Sequence, residues 1–261
     1  MLKILFLGDI TGRTGRNIVQ QLLPDIKSEY APDVIIANGE NSAGGAGIDP
    51  KVAAELLAMG IDVITTGNHI WKRREAIDLV KQNPKQVIRP LNFPKGAPGV
   101  GLTTFEANGT KINIVNAMGR VFVDAKLDCP FQTVDALLKN ELKDEKVIFV
   151  DFHAEATSEK EALGFFLDGR VSAVIGTHTH VQTADEKILP DGTAYLSDAG
   201  MCGAKFSVLG VEHQPIVQNF LSGTPVKFDI AKGIAILNGV VITCDEQSGK
   251  AIAIERIFRE L

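Results

Sequence analysis

The chain has 261 residues, 45% of them hydrophobic and 23% charged, the proportions of an ordinary globular protein and not of a disordered, collagenous or coiled-coil one. Lys and Arg number 27 against 32 Asp and Glu, a net charge of −5. That balance lacks the dense basic footprint that rewards binding to extended nucleic acid, whereas small anionic substrates stay open if metal ions supply local positive charge. No apolar run approaches the roughly 18 residues of a membrane span.

The apolar N-terminus runs straight into Gly8-Asp9, too short for a secretory leader, so residues 3–7 are expected to form a first buried strand. Residues 14–30 carry Ile18, Val19, Leu22, Leu23 and Ile26 at helical spacing, with Pro24 expected to kink or restart the helix. Strand 33–37, helix 50–59 with Pro near its first turn, strand 62–66 and helix 74–81 follow, a β-α-β-α-β rhythm that predicts parallel strands with covering helices. Residues 102–115 carry Asn108-Gly109 between strand-like runs, a hairpin signal. Helix 132–142, strand 147–152, helix 159–167 and strand 172–175 resume the alternation. Pro190-Asp191-Gly192 and Asn238-Gly239 predict two further turns, and the last thirty or so residues read as antiparallel. The expected fold is one α/β domain over residues 1–261, of two mixed sheets with outer helices. Residues 200–232 fit the alternation worst and are expected to form a small cap or insertion. The three cysteines, Cys129, Cys202 and Cys244, are odd in number, far apart and without a C-x-x-C; they suit neither a disulfide framework nor a zinc–thiolate site and predict a reducing cytoplasm.

Polar clusters end the apolar strands. Gly8-Asp9 ends the first, Asn38-Gly39-Glu40-Asn41 the second, Thr66-Gly67-Asn68-His69 the third, Asp151-Phe152-His153 another and Gly176-Thr177-His178-Thr179-His180 another. Strand C-termini of α/β sheets share one rim, where ligands collect. Four of the five histidines lie in these clusters. Singly, Asp9 reads as a helix cap, Asn68 as a turn residue and His153 as a buried structural histidine. His178 and His180 are stronger, because a two-residue spacing in extended backbone puts both rings on one face. Jointly, carboxylate, amide oxygen and imidazole on one rim form the ligand set of a two-metal hydrolytic centre. A rival reading, in which Gly8, Gly12 and Gly15 form a dinucleotide-binding turn, is opposed by Ile10 at the second glycine position, and neither a P-loop nor a G-x-S-x-G is present.

The ordered set of Asp9, Gly39-Glu40-Asn41, Gly67-Asn68-His69, His153 and Gly176-Thr177-His178-Thr179-His180 resembles the calcineurin-like metallophosphoesterases. Over nearly the whole chain it is similar to one branch, the bacterial YmdB-type 2′,3′-cyclic-nucleotide phosphodiesterases; Asp198-Ala199-Gly200-Met201 is a further shared phrase. The superfamily's first motif is D-x-H, but Thr11 stands at the histidine position, and its usual bridging Asp is Glu40 followed by Asn41. The YmdB-type branch shares that departure.

The resemblance implies a four-layer α/β/β/α sandwich and two divalent or mixed-valence metal ions, Fe or Mn before Zn. One would be held by Asp9, Glu40, Asn41 and His180, the other by Glu40, Asn68, His153 and His178, with Glu40 bridging and His69 as proton donor outside the metal shell. It further implies a cytoplasmic homo-oligomer acting on a small phosphodiester, 2′,3′-cyclic NMP opened to 3′-NMP, without extended nucleic acid or membrane as partner. The alternatives are a 3′,5′-cyclic-nucleotide or general phosphodiesterase or phosphatase, and a regulatory protein of RNA metabolism whose metals are structural. The chemistry is coherent by itself: paired divalent ions bind phosphoryl oxygens and acidify a shared water, and a histidine that titrates near neutrality can protonate the departing ribose oxygen. Arg13, Arg16 and Arg120 read as surface arginines, His213 as a surface or structural histidine, Trp71 as a packing anchor, and Asp198 as a turn residue or a partner orienting a ligand imidazole.

Overall fold

The first strand, β1 (Leu2–Leu7), is buried on both faces: Leu2, Ile4 and Phe6 enter one core, Leu5 and Leu7 another. A strand without a wet face must be covered on both sides, and the computed structural model, which describes residues 1–261, shows what covers it. In chain order β1 is followed by β2 (Asp9–Ile10), α1 (Gly12–Tyr30), β3 (Val34–Asn38), α2 (Pro50–Ala58), β4 (Val63–Thr65) and α3 (Ala76–Gln82). Then come β5 (Leu102–Ala107), β6 (Thr110–Met118), α4 (Pro130–Asn140), β7 (Val147–His153), α5 (Thr157–Leu167) and β8 (Ala173–Thr177). The chain ends with β9 (Lys187–Ile188), β10 (Ala194–Leu196), β11 (Met201–Ala204), α6 (His213–Ser222), β12 (Ala235–Cys244) and β13 (Ala251–Glu260).

One sheet has the order β2-β11-β12-β1-β3-β4, with β13 on the other edge of β12; the second runs β5-β6-β7-β8-β10-β9. Strands β1, β3 and β4 are parallel, as are β6, β7, β8 and β10, while β12 lies antiparallel to β1 and β13. Three cores separate four layers. Ile18, Leu23, Val52, Leu56 and Leu79 seal the first sheet under α1, α2 and α3. Phe6, Ile36, Ile114, Phe149 and Ile175 fill the space between the sheets, the Phe6 and Phe149 rings 5.1 Å apart. Val134, Leu138, Leu163 and Leu167 close the second sheet under α4 and α5. The expected α/β/β/α sandwich is therefore the observed one, and the parallel strands bring their C-terminal ends to a common rim.

Two local expectations are corrected. Pro24 does not restart α1: Pro24 and Gln20 both lie on its exposed face, so the carbonyl left without an amide donor is open to water while Leu23 and Ile26 hold the buried face. Asn238-Gly239 is not a turn but lies inside β12, paired to both β1 and β13. Glycine is required there because a Cβ would press on the Phe6 carbonyl. Asn108-Gly109 does turn the β5–β6 hairpin, both residues at positive φ, as a two-residue turn of that kind demands. No helix is long and apolar enough to cross a membrane.

Candidate active site

On their inter-sheet faces the central strands begin apolar and end polar. β3 reads Val34, Ile36, Asn38; β4 reads Val63, Thr65; β7 reads Val147, Phe149, Asp151, His153; β8 reads Ala173, Ile175, Thr177. Asp151, buried completely, ties these ends together across the sheets. One carboxylate oxygen accepts from Asn38 Nδ2 (3.1 Å) and Thr65 Oγ1, the other from Thr177 Oγ1 (2.7 Å). With its proton given to Asp151, the Thr177 hydroxyl accepts from His153 Nδ1 at 2.9 Å. That bond keeps a proton on His153 Nδ1 and turns Nε2 toward the rim, the nitrogen that binds a cation once its own proton has left. Burial raises the Asp151 carboxyl to about 6. Asp151 and Thr177 lie within the polar clusters that end β7 and β8, but the sequence singles out neither as a site residue.

β8 ends at Thr177, and His178 and His180 have φ of 102° and 65°. The two rings therefore do not share a face of extended backbone, as the sequence predicts; they are brought in by a strained left-handed turn, a conformation that needs support from its surroundings. Asp198 supplies that support. Its Oδ2 accepts from the Thr179 amide (3.0 Å) and hydroxyl (2.7 Å), and from Lys160 Nζ of α5 (2.8 Å); its Oδ1 accepts from the Gly200 amide (2.8 Å). Asp198 thus acts on the turn between the two histidines and touches neither ring.

The expected site residues converge. His153 Nε2 lies 3.2 Å from Glu40 Oε1, 2.9 Å from Asn68 Oδ1 and 3.0 Å from His178 Nδ1. Beside it, Asn41 Nδ2 lies 3.1 Å from the same Glu40 Oε1, 3.1 Å from His180 Nε2 and 3.4 Å from Asp9 Oδ1. Glu40 Oε1 is the atom common to both groups. His69 sits to the side, Nδ1 at 2.7 Å from Asn41 Oδ1, with its amide donating to Glu40 Oε2 (3.1 Å). Gly67 admits this packing, because a Cβ there would collide with the His153 ring and the Glu40 carboxylate. Thr11, where the superfamily has histidine, is buried and packs beneath Gly210.

Electrostatics divides the cluster. Burial raises the Asp9 carboxyl. Burial also pushes Glu40 upward, but the facing His153 and His69 rings outweigh it and hold the carboxyl well below its usual range. Burial opposes charge on His153 too, yet Glu40, Asp9 and Asp151 raise it to about 9. His178 falls to about 3 through burial and its proximity to His153.

This arrangement fits metal ions. Asp9 and Glu40 are completely buried, and their only ion-pair partners are histidines; carboxylates so placed need a cation. His153 Nε2 faces three acceptor-type atoms while a ring nitrogen holds at most one proton, whereas one cation can take all four lone pairs. Ligand atoms of Glu40, His153 and His178 lie within 4.8 Å of one another.

Above the cluster opens a cavity of about 480 Å³ whose floor includes Glu40, Asn41, His69, His178 and His180. Its opposite wall comes from residues 208–228, among them Leu209, whose carbonyl accepts from His180 Nδ1 at 3.0 Å. The wall lies within the stretch 200–232 that the sequence marks as a small cap, but the sequence assigns none of its residues to the site, nor Glu155, which lies 3.1 Å from His178 Nε2. Other candidates stand apart. Arg16 pairs with Glu55, Arg13 and Arg120 are exposed, His213 begins α6 in solvent, and Trp71 packs edge-on against Phe93 at 5.6 Å. Gly8 and Gly15 allow close approach to the backbone of Gly200 and Cys202, which accounts for the glycines without a dinucleotide.

A profile of YmdB-like proteins matches residues 5–257. A 2′,3′-cyclic-nucleotide 2′-phosphodiesterase of Bacillus subtilis (strain 168) is 48% identical over 257 residues, covering 98% of this chain and 97% of that protein. The crystal structure of a novel phosphatase from Mycoplasma pneumoniae has a TM-score of 0.92 at 38% identity, covering 99% of this chain and 93% of its own. A protein of Thermus thermophilus gives 0.91 at 41% identity, covering 99% of both chains. Sequence profile and full-length identity agree: the chain belongs to the YmdB-like family.

Proposed function

We propose that this protein is a dinuclear metal-dependent phosphodiesterase that opens 2′,3′-cyclic nucleotides at the 2′ bond and leaves the 3′-monophosphate. The observation that carries the two-ion part is Glu40 Oε1, shared between the group of Asp9, Asn41 and His180 and the group of Asn68, His153 and His178. The relative from Bacillus subtilis carries the substrate. Those seven residues would hold the ions, Fe or Mn in the first instance and Zn as the third candidate, since imidazole, carboxylate and amide oxygen without thiolate suit all three. When bound, such ions neutralise phosphoryl oxygens and acidify a water for in-line attack.

The protein's own part is proton placement. Asn41 as seen turns Nδ2 to the cluster and Oδ1 to His69. Asn41 Oδ1 accepts from His69 Nδ1–H at 2.7 Å and keeps a second lone pair for a cation, so a protonated His69 ring holds its other proton on Nε2 and returns to neutral imidazole on giving it up. That nitrogen has no protein partner, and His69 lines the cavity, so it can protonate the departing 2′ oxygen. The reading includes a cytoplasmic, homo-oligomeric enzyme.

The test is incubation of Mn- or Fe-reconstituted protein with 2′,3′-cyclic AMP, separating 3′-AMP from 2′-AMP. Metal-dependent 3′-AMP is expected, with His69→Ala retaining both ions and losing turnover. No product from protein shown to hold two ions would sink the cyclic-nucleotide assignment; full activity in His69→Ala would remove its role as donor.

A further inference from the structure

The cavity over the metal cluster is divided by chemistry. Its floor is carboxylate, amide and imidazole; its far wall is Leu209, Val211, Ile216, Phe220 and Phe228. Ile216 and Phe220 stand one helical turn apart on α6 and so share a face. α6 has no buried residue, and residues Phe220 and Phe228 are 84% and 55% exposed. Aromatic side chains left this bare are not contributing to a core. The wall is nonetheless tied to the floor, because the Leu209 carbonyl accepts from His180 Nδ1 at 3.0 Å; Leu209 itself has a positive φ of 52°.

A ligand that fills this space must be anionic at one end and flat and apolar-faced at the other, within about 480 Å³, a size in the range of small-molecule sites. We infer that Phe220 and Phe228 form the nucleobase subsite, stacking the base of a cyclic nucleotide whose phosphate lies at the metal cluster. The inference rests on the phosphodiesterase reading and goes further, since it makes the base, and not only the cyclic diester, part of what is recognised. Stacking tolerates any base, because every base offers a π-face; the subsite selects nucleotides over base-free diesters and discriminates little between purines and pyrimidines.

The experiment compares kcat/KM for 2′,3′-cyclic AMP and for ribose 2′,3′-cyclic phosphate, using metal-loaded full-length protein and the variants Phe220→Ala, Phe228→Ala and Phe220→Tyr. The unaltered protein is expected to prefer the nucleotide. Each alanine variant should reduce that preference by roughly 5- to 150-fold, the effect of removing one stacking partner, with the loss mainly in KM, as for an interaction made equally in ground and transition states. Phe220→Tyr should restore it. An unchanged preference in both alanine variants overturns the subsite while leaving the phosphodiesterase assignment intact; so does a change of subunit assembly without a change of preference, which would make this face a contact between copies of the chain. Hydrolysis of neither compound by protein holding two ions defeats the underlying assignment itself.

Discussion

Thr177 shows how much of the site depends on a residue without catalytic chemistry of its own. Its hydroxyl stands between Asp151 and His153, at 2.7 and 2.9 Å, and decides which imidazole nitrogen is left to face the rim. Thr177→Val preserves shape and removes that control. Metal affinity is expected to fall about 10- to 100-fold, the usual effect of losing a partner that orients a ligand, as measured by competition with a chromophoric chelator; unchanged affinity would show that Thr177 does not position His153. The sequence makes the histidines legible because histidine is scarce here and four of five fall at strand ends. Thr177 and Asp151 are not legible in the same way, since a threonine or an aspartate near a strand end is unremarkable until the opposite sheet is in place. His178 and His180 show a right grouping for a wrong reason: they meet through a left-handed turn, not through strand alternation.

At the scale of elements, α5 and the segment after β10 are locked by Lys160 and Asp198, both buried and 2.8 Å apart. Lys160→Met should leave the Asp198 carboxylate buried without its cation. The two backbone amides it still accepts from put the expected loss near the lower end for a broken buried pair, about 3 kcal/mol. Urea denaturation measures it, and Lys160→Met combined with Asp198→Asn should recover part of the loss; a single variant within about 0.5 kcal/mol of the parent, the usual range for surface changes, would show that the pair is not a structural lock. Elements were legible where the signal is local. Asn108-Gly109 turns a hairpin because the flanking strands pair with each other. The identical signal at Asn238-Gly239 misleads because β12 is paired along both edges, one of them by β1 from the far end of the chain, a contact no local dipeptide reveals.

At the scale of the molecule, the candidate ligands come from both sheets: Asp9, Glu40, Asn41 and Asn68 follow strands of the first, while His153, His178 and His180 belong to the second. Cations held there would link the two layers, and ligand that binds only the folded state stabilises it by about 2.7 kcal/mol at 100-fold over Kd. Chelator-treated protein should melt roughly 5–10 °C below metal-loaded protein, with recovery on adding Mn; identical melting curves would count against binding at this seam. The alternation of elements was enough to predict four layers. It could not show that β11, β12 and β13 complete the first sheet beside β1, because that pairing joins opposite ends of the chain.

The polar ends of the central strands also bear on folding. β1, β3, β7 and β8 are apolar on both faces over most of their length, so a slip of one residue exchanges one oily face for another and hydrophobicity opposes it weakly. Asp151 supplies the missing discrimination. In the native alignment its carboxylate meets Asn38, Thr65 and Thr177; one residue out of step it would face the outer core beside Val150 and Phe152 with no partner, at the high cost of an unpaired buried charge. The rim that readies the site for chemistry is also what makes the strands choose a single alignment, so neither property can be altered without disturbing the other.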